Sequence, residues 1–282
     1  MSVIEQPSTS AAASTSIAMR TLLATATLAR RELVRFVRQP NRIIGAIGQP
    51  AVFWILFGAG LGPSFQMPGV EDADVSYREY FFPGTVVLIV LFTAVFTTIS
   101  IIEDRREGFL QSVLVAPIPR LAMVAGKLIG GTLIAVAQGL LFLLLGLSLG
   151  FSFSIPGLFA MLALLCVIGL ALTGTGFIIA WRMDSTQGFH AIMSLFLLPM
   201  WLLSGAFFPA SEGWLGWVVR LNPLTYGVAA LRRLLYWNET ANLLPPGTPS
   251  MTTSVAVTIT FAATTFWLAW LVSARRTAGD LR

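Results

Sequence analysis

Charged residues are scarce in this chain of 282 residues. They make up 11% of it, against about 25% in soluble domains, while 56% of the residues are hydrophobic and the mean hydropathy is +0.79. This composition excludes an ordinary soluble enzyme and a disordered protein. The single cysteine and single histidine exclude a disulfide framework and paired-ligand metal motifs. The excess of 18 basic over 13 acidic residues is small and flanks apolar runs, so we expect no nucleic-acid partner.

Six apolar stretches approach or exceed the roughly 20 residues that a membrane-spanning helix needs. They are residues 43–62, 83–102, 128–150, 157–181, 190–208 and 252–273. The sequence therefore predicts an all-α polytopic membrane protein with a six-span domain at 43–273. We expect a disordered tail at 1–19, an amphipathic interfacial helix at 20–42 and a cytoplasmic tail at 274–282. Of the Lys and Arg residues, 14 fall on the side of the termini and 4 on the other, which predicts cytoplasmic termini.

The central parts of the predicted spans contain no Asp, Glu, Lys or Arg. Ion-coupled transport and intramembrane proteolysis use such residues, so both are disfavoured. The chain has no G-x-x-x-x-G-K-[ST] phosphate loop, so active transport would need ATP hydrolysis by another subunit. We find no catalytic or metal-binding constellation and predict that the chain is not an enzyme. Gln138, the most polar side chain within a span, serves either a helix–helix hydrogen bond or the substrate.

Residues 20–42 precede the first span. Arg31, Arg35, Arg38 and Arg42 recur at steps of four, three and four and so share one helix face. This pattern predicts a helix in the inner membrane interface, with its basic stripe toward anionic headgroups. It is either a positive anchor or a docking element for a cytoplasmic partner.

Residues 103–127 form the longest internal cytoplasmic loop. After Gly108, the apolar residues Phe109, Leu110, Val113 and Leu114 lie on one face of a short helix, which prolines then end. A helix of two turns is not stable alone. We therefore expect it to pack either against its own spans or into a socket on a motor subunit.

Residues 203–237 hold five of the twelve Trp and Tyr residues, a density typical of the outer membrane interface. Gly205 and Pro209 interrupt the helical pattern, which predicts re-entrant or half-inserted helices. This region is either an anchoring belt or an outer gate. Arg232 and Arg233 oppose the charge rule, and we expect them to meet lipid phosphates or outer-loop carboxylates.

Three sequence blocks resemble the permease subunit of the ABC-2 transporter family, especially its daunorubicin-resistance type. They occur in the family's order. The first runs from Arg30-Arg31-Glu32-Leu33 through Arg38-Gln39-Pro40 to Gln49-Pro50 and Phe57-Gly58-Ala59-Gly60. The second is Asp-Arg-x-x-Gly-Phe-Leu-x-x-x-Leu-Val-Ala-Pro within 103–120, and the third joins Ser204-Gly205-Ala206-Phe207-Phe208-Pro209 to Asn222-Pro223-Leu224-Thr225-Tyr226. Phe109 and Gln111 depart from the family's common Thr and Glu.

The resemblance implies an exporter permease that works as one of two copies with two separate ATPase subunits, which bind ATP and Mg. It implies an interfacial helix at 20–42 that touches the ATPase. The coupling residues would be Glu103, Asp104, Arg105, Arg106, Glu107, Gly108, Phe109, Leu110, Val113, Leu114, Pro117 and Arg120. The outer gate would be formed by Gly205, Phe208, Pro209, Asn222, Pro223 and Tyr226. A substrate path along spans one, two and five would use Thr93, Thr97, Thr98, Gln138 and Ser204.

The leading hypothesis is export of a hydrophobic or amphipathic drug or lipid. The predicted substrate path, which is lined by apolar residues and a few hydroxyl groups, suits these substrates better than small ions. The alternatives are a polysaccharide or lipo-oligosaccharide permease, and a membrane anchor or assembly factor without transport. The use of 17 Arg but one Lys suits a GC-rich bacterial genome, so we expect the bacterial inner membrane.

Overall fold

A computed structural model describes residues 17–62, 65, 76–207, 213–236, 244–245 and 247–274. The described residues form eleven α-helices and no strand. The helices are α1 (Ile17–Val37), α2 (Pro40–Leu61), α3 (Tyr77–Thr97), α4 (Ile99–Arg106), α5 (Phe109–Val115), α6 (Arg120–Leu143), α7 (Ile155–Trp181), α8 (Thr186–Trp201), α9 (Trp214–Leu221), α10 (Pro223–Leu235) and α11 (Met251–Ala274).

Six helical segments are long and apolar enough to cross a membrane, which confirms the predicted number of spans. They are Pro40–Leu61, Tyr77–Arg106, Arg120–Leu149, Ile155–Trp181, Thr186–Ala206 and Met251–Ala274. Helix α1 begins at residue 17, three residues before the predicted boundary. Of the two predicted tails, residues 1–16 and 275–282 lie outside the described residues. We call the end with α1, α4 and α5 the inner end, and the end with α9 and α10 the outer end.

Helix α3 forms the centre of the bundle, and residues 80–91 are all buried. Helices α2, α6 and α7 pack around it, α1 lies along α6, and α11 lies along α7. Small residues permit these close contacts. A Cβ atom added at Gly131 of α6 would lie 2.6 Å from the Thr97 hydroxyl of α3 and 2.7 Å from Thr173 of α7.

Polar side chains and a glycine set several helix boundaries. Ser76 and Glu79 form a reciprocal capping box at the start of α3. Ser154 caps α7 by accepting a hydrogen bond from the Gly157 amide. Gly108 has φ +77°, a conformation that favours glycine, and this residue separates α4 from α5.

Candidate coupling and transport sites

A network of buried ions joins α1, α4 and α6 at the inner end. Lys127 donates hydrogen bonds to Glu32 at 2.6 Å and to Asp104 at 2.5 Å. Arg31 donates to both oxygens of Asp104, at 2.7 and 3.0 Å, and Arg35 donates to Asp104 at 2.8 Å. The side chains of Asp104, Glu32 and Lys127 are only 0%, 5% and 6% exposed. Each buried charge therefore has an opposite charge beside it, which offsets the cost of leaving water.

The network continues to α2 through Glu103. This carboxylate accepts from Arg35 at 2.7 Å and from Arg42 at 2.5 Å. Burial by itself lowers the pKa of Arg31, but hydrogen bonding to Asp104 and the charge of that carboxylate outweigh it and raise the pKa above its ordinary value. The ion cluster consists of Arg31, Glu32, Arg35, Arg42, Glu103, Asp104 and Lys127.

The ion cluster corrects the prediction that the basic stripe faces lipid headgroups. Arg31, Arg35 and Arg42 point at carboxylates, whereas Arg38 is exposed. The spacing defined one helix face but could not say what that face meets. Asp104, one of the predicted coupling residues, points into the bundle with its side chain fully buried, and its role in coupling stays a prediction.

The position of α1 is set by two glycines of α6, one turn apart. A Cβ atom at Gly126 would lie 2.7 Å from the Cβ of Leu28, and one at Gly130 would lie 2.9 Å from the Cβ of Glu32. The helices therefore approach closely along this seam, as small residues allow. This contact buries Leu28, Ala29 and Glu32 and brings Glu32 to Lys127.

Three other predicted coupling residues tie α4 and α6 to neighbouring helix ends. Arg105 donates to the Trp181 carbonyl at 2.5 Å and to the Asp184 carboxylate at 3.0 Å. Arg106 donates to the Asp184 carbonyl at 2.6 Å. Arg120 donates to the Ser273 carbonyl at the end of α11. These arginines hold the loop by bonds within the chain.

Helix α5 packs its apolar face against the chain's own helices, the first of the two arrangements expected from the sequence. Leu110 is buried, and Phe109, Val113 and Leu114 pack against the core. The guanidinium carbon of Arg31 lies 3.7 Å from the centroid of the Phe109 ring. The predicted apolar face thus packs against the chain's own helices. Helix α5 leaves Val115 exposed at its tip, at 81%, next to exposed Pro117, while Gly108 and Glu107 lie at its start.

A cleft of about 380 Å³ opens at the inner end between α2, α3 and α8. Its polar lining includes Thr93, Thr97 and Gln49. Phe96 and His190 also line it, and the centroids of their rings are 5.3 Å apart. Glu103 and Arg42 of the ion cluster, together with Phe36, form the rim nearest α1. The cleft is amphipathic and has the size of a small-molecule site.

The other predicted path residues lie elsewhere. Gln138 is buried and accepts a hydrogen bond from Thr93 at 2.5 Å, the helix–helix contact that was one of its two interpretations. The Thr98 hydroxyl donates to the Val95 carbonyl, and the side chain packs against Gly176 of α7. Ser204 lines a separate pocket at the outer end. Of the five predicted path residues, only Thr93 and Thr97 therefore line the cleft.

At the outer end, α8 unwinds into a wide turn over Leu202–Ala206, where Gly205 has φ +73°. Side chains bind the carbonyls that this break releases. Asn222 donates to Met200 at 2.5 Å, and Tyr80 donates to Gly205 at 3.1 Å. Non-helical backbone at membrane depth is stable when protein satisfies it in this way.

The remaining outer-gate predictions lie on and beside two short helices. Asn222 caps α10, Pro223 occupies its first turn, and the Tyr226 hydroxyl donates to the Arg220 carbonyl at 2.8 Å. With 8 and 13 residues, α9 and α10 are too short to span a bilayer. Phe208 and Pro209 lie outside the described residues.

Arg232 and Arg233 pair with no carboxylate among the residues that the structure describes, and their contact with lipid phosphates stays a prediction. Arg232 donates to the carbonyls of Tyr80 and Gly205 at 3.3 and 3.1 Å. Arg233 donates to those of Thr248 and Pro249 at 3.1 and 2.7 Å. Arg232 therefore braces the backbone at the break in α8, and Arg233 braces the residues just before α11.

Sequence reasoning missed three members of the inner-end network: Glu32, Lys127 and Ser100, whose hydroxyl accepts from Lys127 at 3.0 Å. One signal was available. Lys127 is the sole lysine and adjoins the apolar stretch at 128–150. A cation there needs a partner, which its position in the chain does not identify.

These features define a multi-pass membrane protein of the transport-permease class, with a helical unit fixed at the inner end and an amphipathic cleft between its spans. A family model described as "ABC-2 type transporter" matches residues 24–236. The chain therefore belongs to the ABC-2 type transporter family, as a permease subunit.

Curated relatives agree with this assignment. The putative transport permease ycf38 of Cyanophora paradoxa is 26% identical over 212 residues, covering 73% of this chain and 72% of the relative. The daunorubicin resistance ABC transporter permease protein DrrB1 of Streptomyces coeruleorubidus is 24% identical, covering 76% and 75%. The probable multidrug ABC transporter permease YbhR of Escherichia coli K12 is 26% identical, covering 55% and 43%.

Proposed function

We propose that this permease exports a hydrophobic or amphipathic drug or lipid across a bacterial plasma membrane. ATP, with Mg, would be hydrolysed by separate ATPase subunits, two of which would serve a pair of permeases. The names of DrrB1 and YbhR, which refer to daunorubicin resistance and to multidrug transport, favour a drug-like substrate.

The observation that carries the proposal is the construction of the α4–α5 unit. The ion cluster fixes α4 to α1, α2 and α6, while Arg105 links it to the end of α7. A push on α5 would therefore move several helices together. The exposed Val115 provides an apolar contact for a cytoplasmic partner, since an isolated apolar tip gains stability when it is covered.

The inner cleft supports an amphipathic substrate. It lies between the three spans expected to line the path, and its wall combines Phe36 and Phe96 with the hydroxyls of Thr93 and Thr97. Its rim at Arg42 and Glu103 also belongs to the ion cluster. Movement of α4 by the ATPase would change the shape of the cleft. Nucleotide binding would then shift the population between inward-facing and outward-facing arrangements.

The test begins with the full-length tagged chain purified from its native membrane in mild detergent. We expect a soluble subunit with a phosphate loop to co-purify in stoichiometric amount. Val115→Asp should reduce its recovery about tenfold or more, because the interface would bury an unpaired carboxylate. Val115→Ile is the matched apolar control and should retain the subunit. Both variants should insert and unfold like the wild type, since residue 115 is exposed.

Export of a fluorescent amphiphile from intact cells then separates transport from anchoring. A motor-dead ATPase and Val115→Asp should each abolish the energy-dependent export. Absence of any ATPase from an intact wild-type preparation, or activity unaffected by the motor-dead ATPase, would support the anchor hypothesis. Full recovery of the ATPase with Val115→Asp would exclude the α5 tip as the contact.

A further inference from the structure

A buried cation that pairs with no carboxylate in the described part of the chain lies at the outer end, in α10. The Arg232 side chain is buried, with the residue 4% exposed. Its Nη2 atom bonds to two backbone carbonyls, and its guanidinium carbon lies 4.4 Å from the centroid of the Tyr80 ring. Among the described residues, no carboxylate pairs with it and no acceptor bonds to its Nε atom. Carbonyl dipoles and a ring face offset such a charge only in part.

The same arginine lines a pocket of about 220 Å³ between α9, α10 and residues 245–249. Arg220 lines it with a second guanidinium, and no acidic residue does so among the residues that the structure describes. The hydroxyls of Ser204, Thr225 and Thr248 already donate to backbone carbonyls, so the arginines are the donors that remain. Val219 and Ala229 add apolar wall.

We propose that this outer pocket binds the phosphate group of an anionic ligand, held by Arg232 from within and by Arg220 at the rim. Arginine suits phosphate because its N–H groups match phosphate oxygens in pairs. A bound anion would supply the missing countercharge and the acceptor for Nε. The source is either a lipid headgroup, whose chains would lie along the apolar wall, or a free phosphate.

The comparison with the ion cluster supports this assignment. Buried Lys127, at the inner end, has two carboxylates within 2.6 Å, whereas Arg232 has none among the described residues. Arg233, the next residue, holds Thr248 and Pro249 of the pocket wall in place by donating hydrogen bonds to their carbonyls. The pocket thus contains a buried cation that the described part of the chain leaves without a countercharge.

The test uses the purified full-length protein, delipidated in neutral detergent and phosphate-free buffer. Its thermal midpoint is measured with inorganic phosphate against chloride of equal ionic strength, and native mass spectrometry follows the binding of phosphatidylglycerol against phosphatidylcholine. We expect saturable stabilisation by phosphate, preferential retention of phosphatidylglycerol, or both. Binding of phosphatidylglycerol alone identifies a lipid site, and stabilisation by phosphate alone identifies a free-anion site.

Three variants locate the effect. Arg232→Gln removes the buried cation, and Ala229→Leu fills the pocket while leaving that cation in place. Each should weaken binding by about 10- to 100-fold. Arg182→Gln removes one exposed charge at the inner end and should bind like the wild type. If Arg232→Gln does not fold, Ala229→Leu still decides. Absence of binding to the wild type, or undiminished binding to Ala229→Leu, would overturn the proposal.

Discussion

Replacing Lys127 by methionine tests the ion cluster most directly. The change removes the buried cation that contacts Glu32 and Asp104 but retains an unbranched side chain of similar length. Asp104 keeps Arg31 and Arg35 at 2.7 and 2.8 Å. Glu32 keeps only the weaker contact with Arg31 at 3.4 Å. The loss of stability therefore comes mainly from the Glu32 carboxylate, which is left without its strongest partner.

Loss of one partner from a buried ion pair costs about 3–5 kcal/mol. Because Asp104 remains paired, we expect a value near the lower limit, which corresponds to a fall in thermal midpoint of about 6–12 °C. Lys127→Met combined with Glu32→Gln should recover most of this loss, since a neutral amide needs no cation. Coupling between the two changes would show that the pair interacts.

The assay follows a thiol-reactive fluorogenic dye during heating of the purified protein. Cys166 is the sole cysteine, and it is partly buried in α7, so its labelling reports opening of the bundle. Asp184→Ala is the control, because its ion pair with Arg105 has an 88% exposed carboxylate and exposed pairs contribute little. A midpoint for Lys127→Met within about 2 °C of that control would refute the reasoning.

Three further changes test other contacts by the same measurement. Gly130→Val should destabilise the protein by about 1–3 kcal/mol by separating α1 from α6, whereas Gly48→Ala, with open space around it, should not. Gly205→Ala should cost about 1–2 kcal/mol, because φ is +73° there and no neighbour crowds the added atom. Thr93→Val should cost about 1 kcal/mol by removing the hydrogen bond to Gln138, and adding Gln138→Leu should restore part of it. Destabilisation by Gly48→Ala as large as by Gly130→Val, or equal midpoints for the threonine variant and wild type, would contradict these interpretations.

The spans and the helix interruptions could be predicted from sequence. Apolar length predicted all six spans, because a bilayer of fixed thickness demands it. The interruption at Gly205 was predicted because glycine at that position leaves the helical pattern easily. The family resemblance likewise came from ordered local blocks. These features depend on residues close together in the chain.

The partners of the charged side chains could not be predicted in this way. The periodicity of Arg31, Arg35 and Arg42 defines a helix face, but the packing of α1 on Gly126 and Gly130 turns that face toward α4. For the same reason the sequence left two partners open for the apolar face of α5, since an apolar stripe does not specify what covers it.

The sequence by itself determined that this chain is a six-span membrane protein with a charged inner end and an interrupted fifth span, because hydropathy and helix breaking are local properties. Only the tertiary structure decided which charges are compensated. Lys127 meets Glu32 across 95 residues of chain, while Arg232 meets carbonyls and an open pocket. Charge compensation depends on distances of a few ångströms between remote segments, and packing alone sets those distances.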